Sequence, residues 1–512
     1  MKSTATLLTV FLLSLTAFSQ PAIEWQKSLG GSVNDWGYSI DQTIDGGYVV
    51  AGKTESDDGD VTNNFGFTDF WVVKLSSDGI VQWQKSLGGS SSDEAHSIQQ
   101  TTDGGYIIAG YTGSSDGDVT VSLGGADFWI VKLDEMGVIE WQKSVGGSNN
   151  DIAYSIQQTI EGGYIVAGET WSNDGDVTNN NGSRDIWVVK LNTSGEIEWQ
   201  KSLGGSNDER GSHIIQTIDG TFIVAGFTYS NDGDITENNG VGDGWLVKLA
   251  ATGEIDWQKS IGGSAEDLLG AIQQTTEGGY VVTGHTHSDD GDVSGNHGDW
   301  DAWVVKLDNT GNLEWQNAIG GSDSDLARSI EQTIDGGYVV GGITGSSDGD
   351  ISGNNGSGDY LVVKLSQNGA IEWQKSLGGV SPDDARSIQQ TPDGGYIVGG
   401  ISQSNDGDVA GNHGERDYWV VKLGSNLGVD ENQLNNFAVL SPNPNSGKFT
   451  LSFSEEITVT SVKVINVLGK TVYSETNIPR GTFEIEQNFT AGVYFVKVYS
   501  ANSATTVKMI VD

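Results

Sequence analysis

Three aspartate positions recur every 58 residues and carry the clearest ligand chemistry in the sequence. The first comprises Asp58, Asp116, Asp174, Asp232, Asp290, Asp348 and Asp406. The second comprises Asp60, Asp118, Asp176, Asp234, Asp292, Asp350 and Asp408, and the third Asp69, Asp127, Asp185, Asp243, Asp301, Asp359 and Asp417. They stand in S-x-D-G-D-[VI]-[TS]-x-N-x-G-x-x-D, with Gly59 and Gly66 repeated in all seven copies and Ser122 replacing the asparagine in one. Carboxylates, an amide, carbonyls and permissive glycines suit calcium, a hard cation that takes six to eight oxygens. The order is not that of an EF-hand. The same residues also make turns and cap backbone N–H groups, and repetition cannot separate the two uses, because a turn is copied as faithfully as a ligand.

Other constellations are local. His285, His287 and His297 fall in one repeat and could in principle hold zinc, against a reading as scattered surface histidines. Trp36, Trp171 and Trp300 lie outside the repeating tryptophan positions and could stack on sugar rings or simply pack loops. With 69 acidic residues, a pair of carboxylates for glycoside hydrolysis can be chosen almost anywhere and so decides nothing. No G-x-S-x-G nucleophile motif stands in a strand–turn–helix context.

The elements that carry these residues follow from the same beat. Trp25, Trp83, Trp141, Trp199, Trp257, Trp315 and Trp373 are spaced by 58 with no insertion. Each unit reads as four short strands, in the second unit 80–89, 95–101, 104–112 and 127–133, joined by two tight turns and two long connections. Strands such as Tyr106-Ile107-Ile108-Ala109-Gly110 are apolar on both faces, as a sheet covered on both sides requires. The expected fold is all-β: a seven-bladed β-propeller followed by a small β-sandwich. The array opens with one strand at 23–29 and closes with three, so the first strand should complete the last blade and remove the open edge. Both long connections then share one rim, which collects the recurrent aspartates and the acidic position of Asp35 (Glu209 in the fourth unit).

The ends are of another kind. Residues 1–19 read as a secretory signal peptide, with Lys2, an apolar run from Leu7 to Leu15 and a small-x-small site at Ala17-Phe18-Ser19. The apolar run is too short to span a bilayer, and no transmembrane helix is expected in the mature chain. Residues 20–424 form the propeller, 425–437 a polar linker and 438–512 the sandwich. A formal charge of −43 argues against nucleic acid and against charge-driven binding to anionic lipid. The absence of cysteine excludes disulfides, thiol catalysis and cysteine metal sites.

The repeats resemble bacterial β-propeller units of exported proteins, through D-G-G-Y-[IV]-V-[AG]-G-x-T, D-x-W-V-V-K-L, G-x-[IL]-E-W-Q-K-S and G-G-S. The V-K-L-x-x-x-G-x-x-x-W run also looks like the tryptophan-docking unit of quinoprotein propellers, but the match ends there and no quinone is carried over. The final segment resembles the type A sorting domain of the type IX secretion system of Bacteroidota. That likeness rests on Ser441-Pro442-Asn443-Pro444 with Gly447, on Val464 to Lys470, on Ala491 to Val498 and on Val507 to Val511. It implies passage across the inner membrane by the signal peptide and across the outer membrane by this domain. The machinery of that system is then a partner, and the cargo ends secreted or at the cell surface. The near-identity of the units favours a non-catalytic protein that binds a glycan or another protein. A secreted hydrolase acting on polysaccharide from the long-loop face is the alternative, and a purely structural role in the surface layer stays open. Calcium is the one cofactor the residues suggest.

Overall fold

The computed structural model describes residues 20–425, 438–441, 445–453, 459–466, 470–476, 478–490, 492–500 and 504–511. Residues 1–19, expected to be a signal peptide, and positions 426–437 of the expected linker lie outside them. The chain divides into two compact units after Ser425.

The first unit is seven antiparallel four-stranded sheets. The first blade runs Asp35–Gln42, Tyr48–Thr54, Asp69–Leu75, Val81–Leu87 from inside outward; the next five repeat it at 58-residue steps, and the seventh repeats its first three strands. Inner strands of successive blades contact one another in a closed ring, with Asp35–Gln42 touching Asp383–Gln390. The strand expected at 95–101 begins two residues earlier, at Asp93, whose N–H is held by the carbonyl of Thr68 in the preceding blade at 2.8 Å. As the terminal arithmetic required, Ile23–Leu29 pairs antiparallel with Asp417–Leu423 and completes the seventh blade.

The core lies between blades. Third strands such as Asp69–Leu75 are buried at every position, and each apolar cluster joins two neighbours. One cluster unites Phe70 and Val72 of the first blade with Tyr106, Ile108, Trp129 and Val131 of the second. Phe70 and Trp129 meet at 4.6 Å between ring centroids. Trp129 donates its indole N–H to Gln142 at 2.8 Å, so a bulky ring is buried without stranding its polar atom. The tight turns need left-handed backbone: Gly46 has φ 81°, and Asp45 receives the N–H of Gly47 at 3.0 Å and the buried ammonium of Lys74.

Every inner strand carries a β-bulge at the same place. The register slips between Gly37 and Ser39 in the first blade and at the equivalent pair in the other six. The extra residues are Tyr38, His96, Tyr154, Ser212, Gly270, Arg328 and Arg386. A bulge re-aims a side chain away from the strand's ordinary alternation.

The second unit has two sheets, ordered Ala438–Ser441, Lys448–Phe453, Thr482–Glu486 and Thr471–Glu475, Val459–Asn466, Gly492–Ser500, Ala504–Val511. They share one core of Phe449, Leu451, Val462, Val464, Ile485, Val496, Val498 and Met509.

Candidate functional site

The three recurrent aspartates of one blade do not converge on one point. Asp58 is exposed and accepts the N–H of Ser32 at 2.7 Å. The second position clasps a glycine on the connection from the preceding blade. Asp118 accepts the N–H of Gly88 on its carboxylate at 3.2 Å and donates its own N–H to the Gly88 carbonyl at 2.9 Å. The third position is fully buried at the head of the third strand. One oxygen of Asp69 accepts the N–H of Phe65; the other, Oδ1, has no hydrogen-bond partner. The same atom is orphaned in Asp127, Asp185, Asp243, Asp301, Asp359 and Asp417.

What Asp69 faces belongs to the next blade: Asp93, which opens the adjacent inner strand, and Asp118. Asp93 is itself satisfied by the Gly89 N–H and by the hydroxyls of Thr112 and Ser114. Burial, reinforced by these neighbouring carboxylates, pushes Asp69 and Asp185 up to about 7 and Asp127, Asp243 and Asp359 up to about 6. In two junctions an imidazole stands between carboxylates of adjacent blades, and Oδ1 of Asp301 and Asp417 still has no partner. His297 lies 2.8 Å from Asp301 and 3.8 Å from Asp350 of the next blade, and His413 lies 2.7 Å from Asp417 and 3.9 Å from Asp60. Among the described residues no three acidic or histidine side chains are arranged to hold a metal ion as they stand.

His285, His287 and His297 are not brought together. His285 and His287 both pack on Trp300, at 4.9 and 5.0 Å, while His297 serves the blade junction. The three irregular tryptophans are half-buried rather than free. Trp36 sits on an inner strand under Lys53 and Arg416, and Trp171 lies against Arg184.

The copies differ elsewhere. Along the inner strand, Gln42 and Ile40 recur unchanged, but the bulge residue reads Tyr, His, Tyr, Ser, Gly, Arg, Arg around the ring. Two positions before it stand Trp36, Glu94, Ile152, Arg210, Leu268, Leu326 and Asp384. Directly across from these on the second strand stand Lys53, Tyr111, Glu169, Phe227, His285, Ile343 and Ile401. These positions surround the long-loop end of the central channel, where a cavity of about 490 Å³ is lined by Tyr38, His96, Tyr154, Arg210, Phe227, His285, Arg328 and Arg386, among others. The channel's other end is lined by Gln99, Gln157, Gln273, Gln389, Asp41 and Glu331.

The polar groups of the mouth are ordered by their neighbours. His96 stacks on Tyr154 at 5.1 Å and is hydrogen-bonded through Nδ1 to the Ala153 carbonyl. Tyr154 donates to Glu169 at 2.7 Å, and Arg184 pairs with the same carboxylate at 2.9 Å. Burial opposes it, but His96, Lys53 and Tyr111 hold Glu94 down to about 2. Burial, with Arg328 and Arg210 nearby, takes His285 down to about 3, so its imidazole is neutral. Nothing in the strand pattern reveals this site, because a bulge breaks the alternation from which inward residues are read. The signal that finds it is variation at fixed positions inside an otherwise copied frame.

A ring of seven four-stranded blades closed by the first strand defines the chain's main unit as a seven-bladed β-propeller, and a second β-unit follows it. Residues 440–512 match the secretion system C-terminal sorting domain family, which marks the chain for export. Among curated proteins, the regulatory protein FlaEY of Caulobacter vibrioides is 24% identical over 36% of this chain and 22% of its own length. The uncharacterized WD repeat-containing protein L264 of Acanthamoeba polyphaga mimivirus is 22% identical over 52% of this chain and 25% of its own length. The chain thus spans about a quarter or less of the curated relatives it matches. Among solved structures, Sqt1 from Chaetomium thermophilum aligns over 78% of this chain and 100% of its own, at 12% identity and a TM-score of 0.40. No helix among the described residues is long and apolar enough to cross a membrane.

Proposed function

We propose that this is an exported, non-catalytic binding propeller whose ligand seats at the long-loop mouth of the central channel. The observation that carries the reading is the convergence of the varied positions on one cavity within a frame copied seven times. Scaffold positions are held constant by packing; a specific site needs non-equivalent residues. Export across the outer membrane through the type IX machinery belongs to the same reading and rests on the sorting domain.

A polysaccharide hydrolase is less well supported. Glycoside hydrolysis needs an acid and a second carboxylate flanking the scissile bond, roughly 5–9.5 Å apart. The residues lining the mouth include no carboxylate, and the nearest ones are engaged: Glu94 by Lys53, Glu169 by Arg184 and Asp384 by Arg386. A glycan array read together with a reducing-end assay on the full-length protein tests this: retention without release supports binding.

Calcium enters as a clamp between blades rather than a cofactor. The support is the orphaned, buried oxygen of each Asp69-type residue and, in two junctions, an imidazole set between carboxylates of adjacent blades, on the other oxygen of Asp301 and Asp417. Because the carboxylates are not gathered into a coordination shell, binding would have to draw the half-exposed Asp118-type group inward.

A further inference from the structure

Resting on the mouth as the binding site, we infer that its ligand is anionic: a carboxylate or sulfate carried on a sugar ring, held by Arg210, Arg328 and Arg386. The chain has six arginines, and three of them line this one cavity. In a protein of 69 acidic and 26 basic residues, cations are ordinarily absorbed by nearby acids. Here they are not.

Arg210 lies on the face of Tyr154, its guanidinium 3.8 Å from the ring centroid. Among the described residues no acceptor engages it, and its Nε is buried without a partner. Arg386 and Arg328 share a single carboxylate, Asp384, at 2.7 and 3.7 Å. Three cations facing one anion leave a surplus of two positive charges around a half-buried cavity. Burial and the mutual repulsion of the three guanidiniums bring Arg328 below its ordinary value, with Asp384 opposing, so a bound anion would relieve a strain already present. A guanidinium presents a rigid fork of donors matched to carboxylate and sulfate, and one held by ring stacking loses little freedom on binding.

The rest of the lining fits a sugar. Tyr38, Tyr154 and Phe227 supply ring surface, and the volume of about 490 Å³ lies within the range of small-ligand sites, roughly 300–1,000 Å³. Polarity along the channel orients the ligand. Beyond the arginines, the lining turns to Gln99, Gln157, Gln273 and Gln389 with Asp41 and Glu331, and offers no guanidinium or ammonium to a second anion. The acidic group therefore stops at the arginines.

The test uses the full-length protein and three probes: an oligogalacturonate, a sulfated galactan oligosaccharide and a neutral cello-oligosaccharide. Binding is measured by calorimetry with folding checked by melting. Gly270→Trp plugs the mouth without changing charge. Gly270 has no positive φ, and its missing Cβ would meet nothing nearer than 3.5 Å, so a side chain can leave the backbone there without a clash. Arg210→Gln removes the unpaired cation, and Arg328→Gln serves as a second variant. One or both acidic probes should bind and the neutral one should not. Gly270→Trp should abolish binding, and each arginine variant should weaken it about 10-fold or more, the scale of a charged hydrogen-bonded contact. The two acidic arms distinguish carboxylate from sulfate. Neutral binding lost in Gly270→Trp but unchanged in Arg210→Gln and Arg328→Gln overturns the anionic ligand while leaving the mouth as the site. Acidic binding that survives Gly270→Trp overturns both, and the absence of binding by either acidic probe overturns the anionic ligand.

Discussion

Asp69 and Asp93, from adjacent blades, close on the same glycine: a Cβ added to Gly88 would lie 2.5 Å from the free oxygen of Asp69 and 2.6 Å from Asp93 Oδ2. Both carboxylates are buried, and Gly88 is clasped on its N–H and carbonyl by Asp118. None of the three can retreat cheaply. Gly88→Ala should therefore destabilise the propeller by about 1–3 kcal/mol, the cost of overpacking a well-filled site. Gly46→Ala, where nothing lies within 4 Å, should cost only the strain of its positive φ, about 1 kcal/mol. Denaturant unfolding of the two variants checks the order.

The raised carboxylates make a signed prediction about pH. Asp69 and Asp185 titrate near 7 and Asp127, Asp243 and Asp359 near 6 in the folded state, against an unfolded value of 3.8. The folded form holds these protons more tightly, so their stabilising contribution is full below about pH 4 and is lost as pH rises through 6–7. Asp45 and Glu94, held down to about 2, act in the opposite sense and lose their contribution only in strong acid. The melting temperature should be higher at pH 5 than at pH 8 at constant ionic strength. Calcium should recover part of the difference at pH 8 and do little at pH 5, with chelator reversing it; identical melts with and without calcium would remove the clamp.

Closure of the ring is tested by removing the strand that closes it. Ile23–Leu29 supplies the outer strand of the seventh blade, and Trp419 donates to Gln26 at 2.8 Å. Deleting residues 20–30 should abolish much of the unfolding free energy, which for a domain is roughly 5–15 kcal/mol. A terminal trim that left the melt unchanged would mean the last blade stands without its fourth strand.

The architecture was legible because it rests on spacing. A tryptophan every 58 residues, one spare strand before Asp35 and a missing one after Leu423 are sufficient for seven blades and their closure. The site was not legible for two physical reasons. Asp58, Asp60 and Asp69 read as one ligand set because they are neighbours in sequence, but strand direction sends Asp69 across to Asp93 and Asp118 of the next blade. Tyr38 and its six equivalents project from bulges, which the alternation of a strand conceals.

The export route has its own test. Residues 440–512 match a secretion sorting domain, so deleting 438–512 should leave the propeller trapped in the periplasm. Fractionation of cells expressing the full-length and shortened chains reads this directly; normal surface display of the shortened chain would refute it.

Binding without turnover at the mouth is the property proposed for this propeller. Incubation of the full-length protein and of Gly270→Trp with a panel of acidic and neutral polysaccharides, with bound polymer and new reducing ends measured in the same samples, tests it most directly. Polymer should be retained by the unaltered protein and lost in Gly270→Trp, with no new reducing ends in either. Reducing ends that accumulate with the unaltered protein and disappear in Gly270→Trp would contradict it and make the same cavity an active site.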